Sequence, residues 1–313
     1  MKYIVKLITI IYCLVAVAGC SSGMTEEEIT GIGLTPCRNP ALFIKNVGFN
    51  PARTAFSTTE LNYTGVALVE LPQNPNDKIN RRVWQDSSWK LFGHMASLTT
   101  DENGSAYTAP IPLVNNLDVP VSELNNIYKI DYITGKMALF CQLPKPKISN
   151  DIVPFGVLGV YYDCHGKKLY AASISGSSRD QEKGVIYVID INTAKIIDQL
   201  EGYDAAGLFV GGNTGEKRLY FGGLRKSNIY SVELNKEGKF KNAKVTTEFS
   251  LEQLGPRGND KARRIRYDKL GNLVIQGVEF DYSLAAQSNR NETTYQFNFN
   301  EEEKKWKFYK IMF

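Results

Sequence analysis

Two adjacent arginines, Arg263 and Arg264, are the residues of this chain best suited to binding chemistry. A guanidinium group presents a planar fork of donors that matches the paired oxygens of a carboxylate or phosphate. The arginines therefore indicate a site for an anionic small molecule, such as an acidic sugar. The alternative is structural, because the same side chains would hold neighbouring elements together if they paired with Asp204, Asp260 or a glutamate.

Metal and nucleophile chemistry find little support in the sequence. The only histidines are His94 and His165, and the cysteines beyond residue 20 are Cys37, Cys141 and Cys164, without a CxxC spacing. Zinc and His-rich metal sites need paired ligands at short spacing, so we expect no metal, no cofactor and no catalytic residue. At most one disulfide can form among the three cysteines. The net charge of +4 is small and argues against nucleic acid as a partner.

A turn followed by a short apolar strand recurs through the chain. Its copies are 49–60, 100–110, 162–173, 211–223 and 267–277, and "YDKLGNLVIQG" is a clear example. Asp, Asn and Gly favour the tight turn, and the aromatic or β-branched residues favour the strand. The strand of each copy is marked by one anchor residue: Phe56, Tyr107, Tyr170, Tyr220 and Val274.

A second phrase with period-two alternation follows each copy, as in "GVIYVIDINTAK" (184–195). Together with the strands on either side, each unit of about fifty residues holds four antiparallel strands. Such a sheet cannot cover both of its faces alone, so repeated sheets pack radially. The sequence thus predicts an all-β propeller of five visible blades, with a sixth left open. A β-sandwich is the alternative, but it would not repeat this phrase.

The propeller brings one residue from each inner strand to the axis. Counting back from the turns gives Lys45 or Asn46, Ala96, Leu158, Ala206 and Arg263. We therefore predict an axial ligand site that includes five residues: Lys45, His94, Asp204, Arg263 and Arg264. Two insertions, 108–126 and 173–184, should project from one rim as a binding face, and the second reads as a mobile surface loop.

The phrases "DxxGNLxI" and "IYxIDxxTGK" resemble those of the gluconolactonase/regucalcin and NHL-type propellers. The first resemblance implies axial carboxylates and amides that bind one divalent cation and activate a lactone. Here Ala206 and Arg263 stand where that family places an amide and the base. The resemblance therefore leaves a Ca²⁺-dependent lactonase as the alternative to non-catalytic binding. A slip of two residues in the alignment would bring Asp204 and Asp260 toward the axis.

The N-terminus reads as an export signal. Lys2 and Lys6 precede an apolar stretch, 7–17, that is too short to span a bilayer. The following "VAGC" resembles the lipobox of bacterial lipoproteins, which implies that Cys20 is acylated after cleavage before it. An ordinary secretory signal with a chance cysteine is the alternative. The predicted organisation is a signal peptide (1–19), a lipidated tether (20–42) and a propeller (43–313).

The tether "SSGMTEEE" (21–28) is polar and then acidic. Such a run resembles the surface-export signal of Bacteroidota lipoproteins, and a plain spacer is the alternative. We therefore expect a cell-envelope protein, anchored by lipid in the outer membrane, with an unknown ligand or protein partner. A structural role in an outer-membrane assembly is a further alternative.

Replacing the lipobox cysteine tests the predicted anchor. Cys20→Ala removes the thiol that would carry the acyl chains, each of whose buried methylenes adds about 0.8 kcal/mol of membrane affinity. We expect the variant to leave the membrane fraction for the soluble extract on cell fractionation. A variant that stays with the membranes would contradict the lipobox interpretation.

Overall fold

Antiparallel strands make up almost all of the regular structure. The computed structural model describes residues 26–34, 38–74, 81–111, 119–144, 155–212, 214–283 and 291–312. Nineteen strands lie within them, with two short α-helices, α1 (Glu26–Gly31) and α2 (Phe43–Asn46). Three 3-10 turns complete the regular elements of these ranges: Pro51–Arg53, Ser87–Lys90 and Val121–Glu123.

The strands form five sheets arranged as the blades of a propeller, which confirms the predicted fold. Blade 1 has three strands in the described residues: β1 (Thr54–Ser57), β2 (Ala67–Glu70) and β3 (Arg82–Trp84). Blade 2 comprises β4 (Met95–Thr100), β5 (Ala106–Pro110), β6 (Asn126–Ile130) and β7 (Met137–Gln142). Blade 3 comprises β8 (Val157–Asp163), β9 (Lys168–Ser173), β10 (Val185–Asp190) and β11 (Lys195–Glu201).

The last two blades follow the same meander. Blade 4 comprises β12 (Ala205–Gly211), β13 (Arg218–Gly223), β14 (Asn228–Leu234) and β15 (Phe240–Ser250). Blade 5 comprises β16 (Lys261–Tyr267), β17 (Leu273–Val278), β18 (Thr293–Asn300) and β19 (Lys305–Met312). In all four complete blades the strands pair in chain order, so the first strand of each lies innermost.

The propeller has two distinct ends. At what we call the turn end, each inner strand reverses into its second strand. In blades 2, 3 and 5 this connection is a short turn marked by Asp101, Asp163 or Asp268. Asp268 is representative, because its carboxylate accepts from the backbone amides of Leu270 and Asn272 at 2.8 and 3.0 Å. At the opposite loop end lie the connections from the second strand to the third, including 174–184. The repeated turn phrase thus marks one end of the axis.

Apolar clusters join each blade to the next through most of the ring. Separate clusters link blade 1 to blade 2, blade 2 to blade 3, blade 3 to blade 4 and blade 4 to blade 5. The anchors Tyr107, Tyr170 and Tyr220 are fully buried in them. No comparable cluster joins blade 5 to blade 1 among the residues that the structure describes. Among the described residues, the junction between blades 5 and 1 therefore lacks the apolar cluster that the other four junctions have.

The neighbouring inner strands approach closely, and glycine permits it. A Cβ atom at Gly159 of β8 would overlap the carbonyl oxygen of Ala206 on β12. Gly207 of β12 repeats the arrangement, since its Cβ would lie 2.9 Å from the carbonyl oxygen of Ala262 on β16. These two positions therefore set the separation of blades 3, 4 and 5 at the axis.

The N-terminal segment enters at the turn end. The amide of Gly212, just after β12, donates to the carbonyl oxygen of Ile32 at 3.2 Å, and Ile32 is buried between blades 3 and 4. Farther along, both the amide and the side chain of Asn39 donate to the carbonyl oxygen of Glu102 in the β4–β5 turn. The segment therefore bears on the turn end of blade 4 and then on that of blade 2.

Two cysteines fall within the described ranges. Cys164 is disulfide-bonded, and Cys141 is a buried free thiol. Cys37 and the lipobox cysteine lie outside the described residues. In the part of the chain that the structure describes, no helix combines the length and the hydropathy needed to cross a bilayer.

A methyl group at the axis tests the close approach of the inner strands. Gly159→Ala places a carbon against the backbone of β12, which must move, so we expect a loss of about 1–3 kcal/mol of unfolding free energy. Gly31→Ala is the matched control, because its Cβ would meet no atom within 4 Å. Equal denaturation midpoints for the two variants would contradict the packing described.

Candidate functional site

The axis of the propeller holds the main cavity of the described structure, with a volume of about 770 Å³. Residues of all five inner strands line it, together with part of the N-terminal segment. Much of the wall is apolar, and Leu98, Leu158 and Ala206 are among the residues that line it. A cavity of this size can hold a small organic ligand.

Four arginines line this cavity: Arg38, Arg263, Arg264 and Arg266. Arg264 and Arg266 lie two residues apart on β16, so their side chains leave the same face of the sheet. The intervening Ile265 and the following Tyr267 point the other way, into the core shared with blade 4. The two arginines therefore occupy the face of blade 5 that is turned away from blade 4.

Arginines outnumber carboxylates among the described residues that line the cavity. Asp163 is the one carboxylate among the described lining residues, and it forms a buried ion pair of 2.6 Å with Lys217. Arg263 has a salt bridge of 3.0 Å with Glu292. Within the described part of the chain, no salt bridge joins Arg38, Arg264 or Arg266 to a carboxylate. The cavity thus carries a net positive charge.

Hydroxyl groups supply the other polar part of the wall. Ser57, Thr58 and Thr59 lie at the end of β1 and in the loop that follows it. Tyr161 of β8 also lines the cavity, and burial together with the nearby Asp163 carboxylate raises the pKa of this tyrosine well above its usual value. Its hydroxyl therefore stays protonated at physiological pH and keeps its ability to donate.

Three of the five predicted site residues do line the cavity. Arg263 and Arg264 come from β16, and His94 lies immediately before β4. Lys45 does not line it, because this residue is exposed on α2. The cause is an offset of one strand in the first repeat: Phe56 lies on the inner strand β1, whereas the other four anchors lie on second strands. Counting back one strand from Phe56 therefore led to Lys45 on α2 instead of to a residue of the inner strand.

Asp204, the fifth predicted residue, lies outside the cavity wall. It is fully buried, and its carboxylate accepts hydrogen bonds from Ser177 and from Tyr282, the latter at 2.5 Å. Arg225 adds a salt bridge of 3.4 Å. Burial and this carboxylate raise the pKa of Tyr282 well above its usual value. Asp204 therefore joins the loop-end segments of blades 3, 4 and 5.

Part of the loop 174–184 is buried, whereas the sequence predicted a mobile surface loop. Ile174 and Ser177 are both buried, and Ile174 belongs to an apolar cluster with Phe155, Leu224 and Tyr282. This cluster packs against Leu158 and Ala206, which also line the cavity. The segment thus forms part of the packed loop end rather than a surface loop throughout.

Asp260 is likewise held in a structural network. Its two carboxylate oxygens accept a bidentate pair of hydrogen bonds from Arg257, at 2.5 and 2.8 Å. The Tyr295 hydroxyl donates to the same carboxylate at 2.7 Å. Neither Asp204 nor Asp260 is among the residues that line the cavity.

The residues at the axis do not fit a divalent cation. In the described ranges no group of three or more His, Cys, Asp or Glu side chains is placed to hold a metal ion. The one lining carboxylate, Asp163, is already paired with Lys217, and arginines stand nearby. These positive charges would repel a divalent cation. No step of lactone chemistry through a metal can be derived from this donor set.

The sequence interpretation missed Arg266, Arg38 and the hydroxyls of blade 1. Arg266 could have been found, because period two on a strand places it beside Arg264. The position of Arg38 depends on how the N-terminal segment packs, and no local pattern encodes that. The hydroxyls follow an inner strand that the repeat offset concealed.

Comparison with known proteins does not assign a family. No family model matches the chain, and no curated protein matches it. Among solved structures, it is similar to the calcium-binding protein regucalcin from Agrobacterium tumefaciens, with 15% identity and a TM-score of 0.46 over 76% of this chain and 71% of that one. The acylaminoacyl peptidase of Pyrococcus horikoshii gives 11% identity and a TM-score of 0.38, over 78% of this chain and 35% of the peptidase. Neither likeness, at these values, indicates a shared activity.

The Asp204 network is predicted to serve stability rather than binding. Asp204→Asn removes the charge that faces Arg225 and alters the bonds from Ser177 and Tyr282, so we expect a loss of roughly 2 kcal/mol of unfolding free energy. The affinity of the cavity for anions should not change. Asp180→Asn, an exposed carboxylate in the same loop, is the matched control. Denaturation curves identical for the two variants would contradict the assigned role.

Proposed function

We propose that this protein is a lipid-anchored β-propeller of the cell envelope that binds an anionic small molecule in its axial cavity and does not itself catalyse a reaction. The observation that carries the proposal is the pair Arg264 and Arg266, which line the cavity without a carboxylate partner among the described residues. Both arginines are exposed to solvent, so a ligand can reach them, and their guanidinium forks match the paired oxygens of a carboxylate or phosphate.

The remaining wall narrows the class of ligand. Ser57, Thr58 and Thr59 supply hydroxyls that can both donate and accept, and Tyr161 supplies a neutral donor. A ligand that combines one acidic group with several hydroxyls would use both parts of the wall. An acidic sugar, such as a uronic acid, has this composition.

The envelope location is supported by two independent features. The lipobox-like "VAGC" predicts a lipid on Cys20, and the disulfide at Cys164 is of a kind that persists in oxidising compartments. Neither feature depends on the cavity, so anchoring and ligand binding can fail separately.

Charge removal inside the cavity tests the ligand class. The double variant Arg264→Gln, Arg266→Gln should lower the affinity for glucuronate at least tenfold in titration calorimetry, because each charged hydrogen bond contributes about 1.5–3 kcal/mol. Glucose, which lacks the carboxylate, should bind the wild-type protein more weakly than glucuronate does.

A charge-matched control separates a site from a general effect of charge. Lys45→Gln, Lys310→Gln removes two exposed cations that do not line the cavity. Its affinity for glucuronate should equal that of the wild type. Equal affinity of all three proteins would contradict the anion site. A second protein that co-purifies in stoichiometric amount would instead favour the structural role in a membrane assembly.

A further inference from the structure

The chain enters the propeller at one defined place. Ile32 is buried at the turn end of blade 4, where its carbonyl oxygen accepts from Gly212, and Ile29 lies against the same glycine. Helix α1 ends at Gly31, directly before this anchor point. Whatever holds the chain upstream of α1 is therefore attached close to the turn end.

The distance from that anchor point to Cys20 is short. The chain from Ile29 back to Cys20 can span at most about 25 Å, since three of its residues are helical and the rest cannot exceed about 3.5 Å each. Reaching the loop-end side from the inner strand requires a longer path. That path is roughly 35 Å, across three strand spacings to the rim and along a strand of seven residues.

Exposed apolar side chains lie at the same end. Nine large hydrophobic residues have high exposure in the described ranges, and three of them lie at the turn end. Leu270 is 85% exposed in the β16–β17 turn, and Ile133 is 52% exposed in the β6–β7 turn. Leu42 adjoins that turn, because the next residue's amide donates to the carbonyl oxygen of Tyr132.

From the tether length and these side chains we infer that the turn end lies against the lipid bilayer, with Leu270 and Ile133 inserted at its interface. This inference rests on the proposed lipid anchor at Cys20. Apolar tips gain free energy by entering the headgroup boundary, whereas in water they remain hydrated. The charges around them are mixed: Lys269 neighbours Leu270, and the Asp131 carboxylate accepts from the amide of Ile133. The contact is therefore apolar in origin and does not depend on anionic lipid.

The orientation has a consequence for ligand access. The loop end, with the segment 174–184 and the apolar cluster around Phe155, faces away from the bilayer. A soluble anion would reach the cavity from the loop end. The turn end would be closed to it by the membrane.

Site-specific labels on the full-length lipidated protein test the orientation. In a Cys141→Ser background, Leu270→Cys and Ile133→Cys each receive an environment-sensitive fluorophore, and Leu71→Cys is the matched control. Leu71 is an exposed leucine just after β2, at the loop end. The proteins are reconstituted with vesicles of phosphatidylethanolamine and phosphatidylglycerol, and flotation of each sample is measured first.

The expected result is a several-fold stronger quenching by spin-labelled lipid at 270 and 133 than at 71. Vesicles of phosphatidylcholine should give the same contrast. Equal quenching at the three positions, or stronger quenching at 71, in protein that floats with the vesicles would overturn the orientation and leave the anchor intact. Protein that does not float would overturn the orientation and the anchor together.

Discussion

The structure depends on one constraint: a four-stranded sheet has two faces, and each must find a cover. Blades 1 to 5 satisfy this through four apolar clusters, one at each successive junction. The junction between blades 5 and 1 has no such cluster in the described residues. There the inner strand of blade 5 contributes Arg264 and Arg266 to the wall of the axial cavity. A polar face cannot be sealed against blade 1 as the others are sealed. The axial cavity and its positive charge follow from this one exception.

Contacts elsewhere in the molecule fix the position of the strand that carries these two arginines. Glycines at the axis bring the inner strands of blades 3, 4 and 5 together, which fixes the position of β16. Two carboxylates near the axis have structural roles: Asp204 at the loop end of blade 4 and Asp260 at the start of blade 5. Both carboxylates are hydrogen-bonded to nearby side chains and do not line the cavity, so they do not neutralise its arginines.

The sequence was sufficient for the fold and for part of the site. Turn residues recur because tight turns demand them, and alternation recurs because strands are half-buried, so the blades could be predicted from local chemistry. The contribution of Arg263 and Arg264 followed from their place on an inner strand. Lys45 was wrongly placed because the first repeat is offset by one strand, and local turn chemistry does not reveal such an offset. Asp204 was misjudged because its partners come from three blades.

An anomalous-scattering crystal structure of the protein soaked in bromide addresses the central claim most directly, because bromide reports where a mobile anion is held. The account predicts a bromide peak in the axial cavity within contact of the Arg264 and Arg266 guanidinium groups. A cavity without a bromide peak at these two guanidinium groups would contradict it.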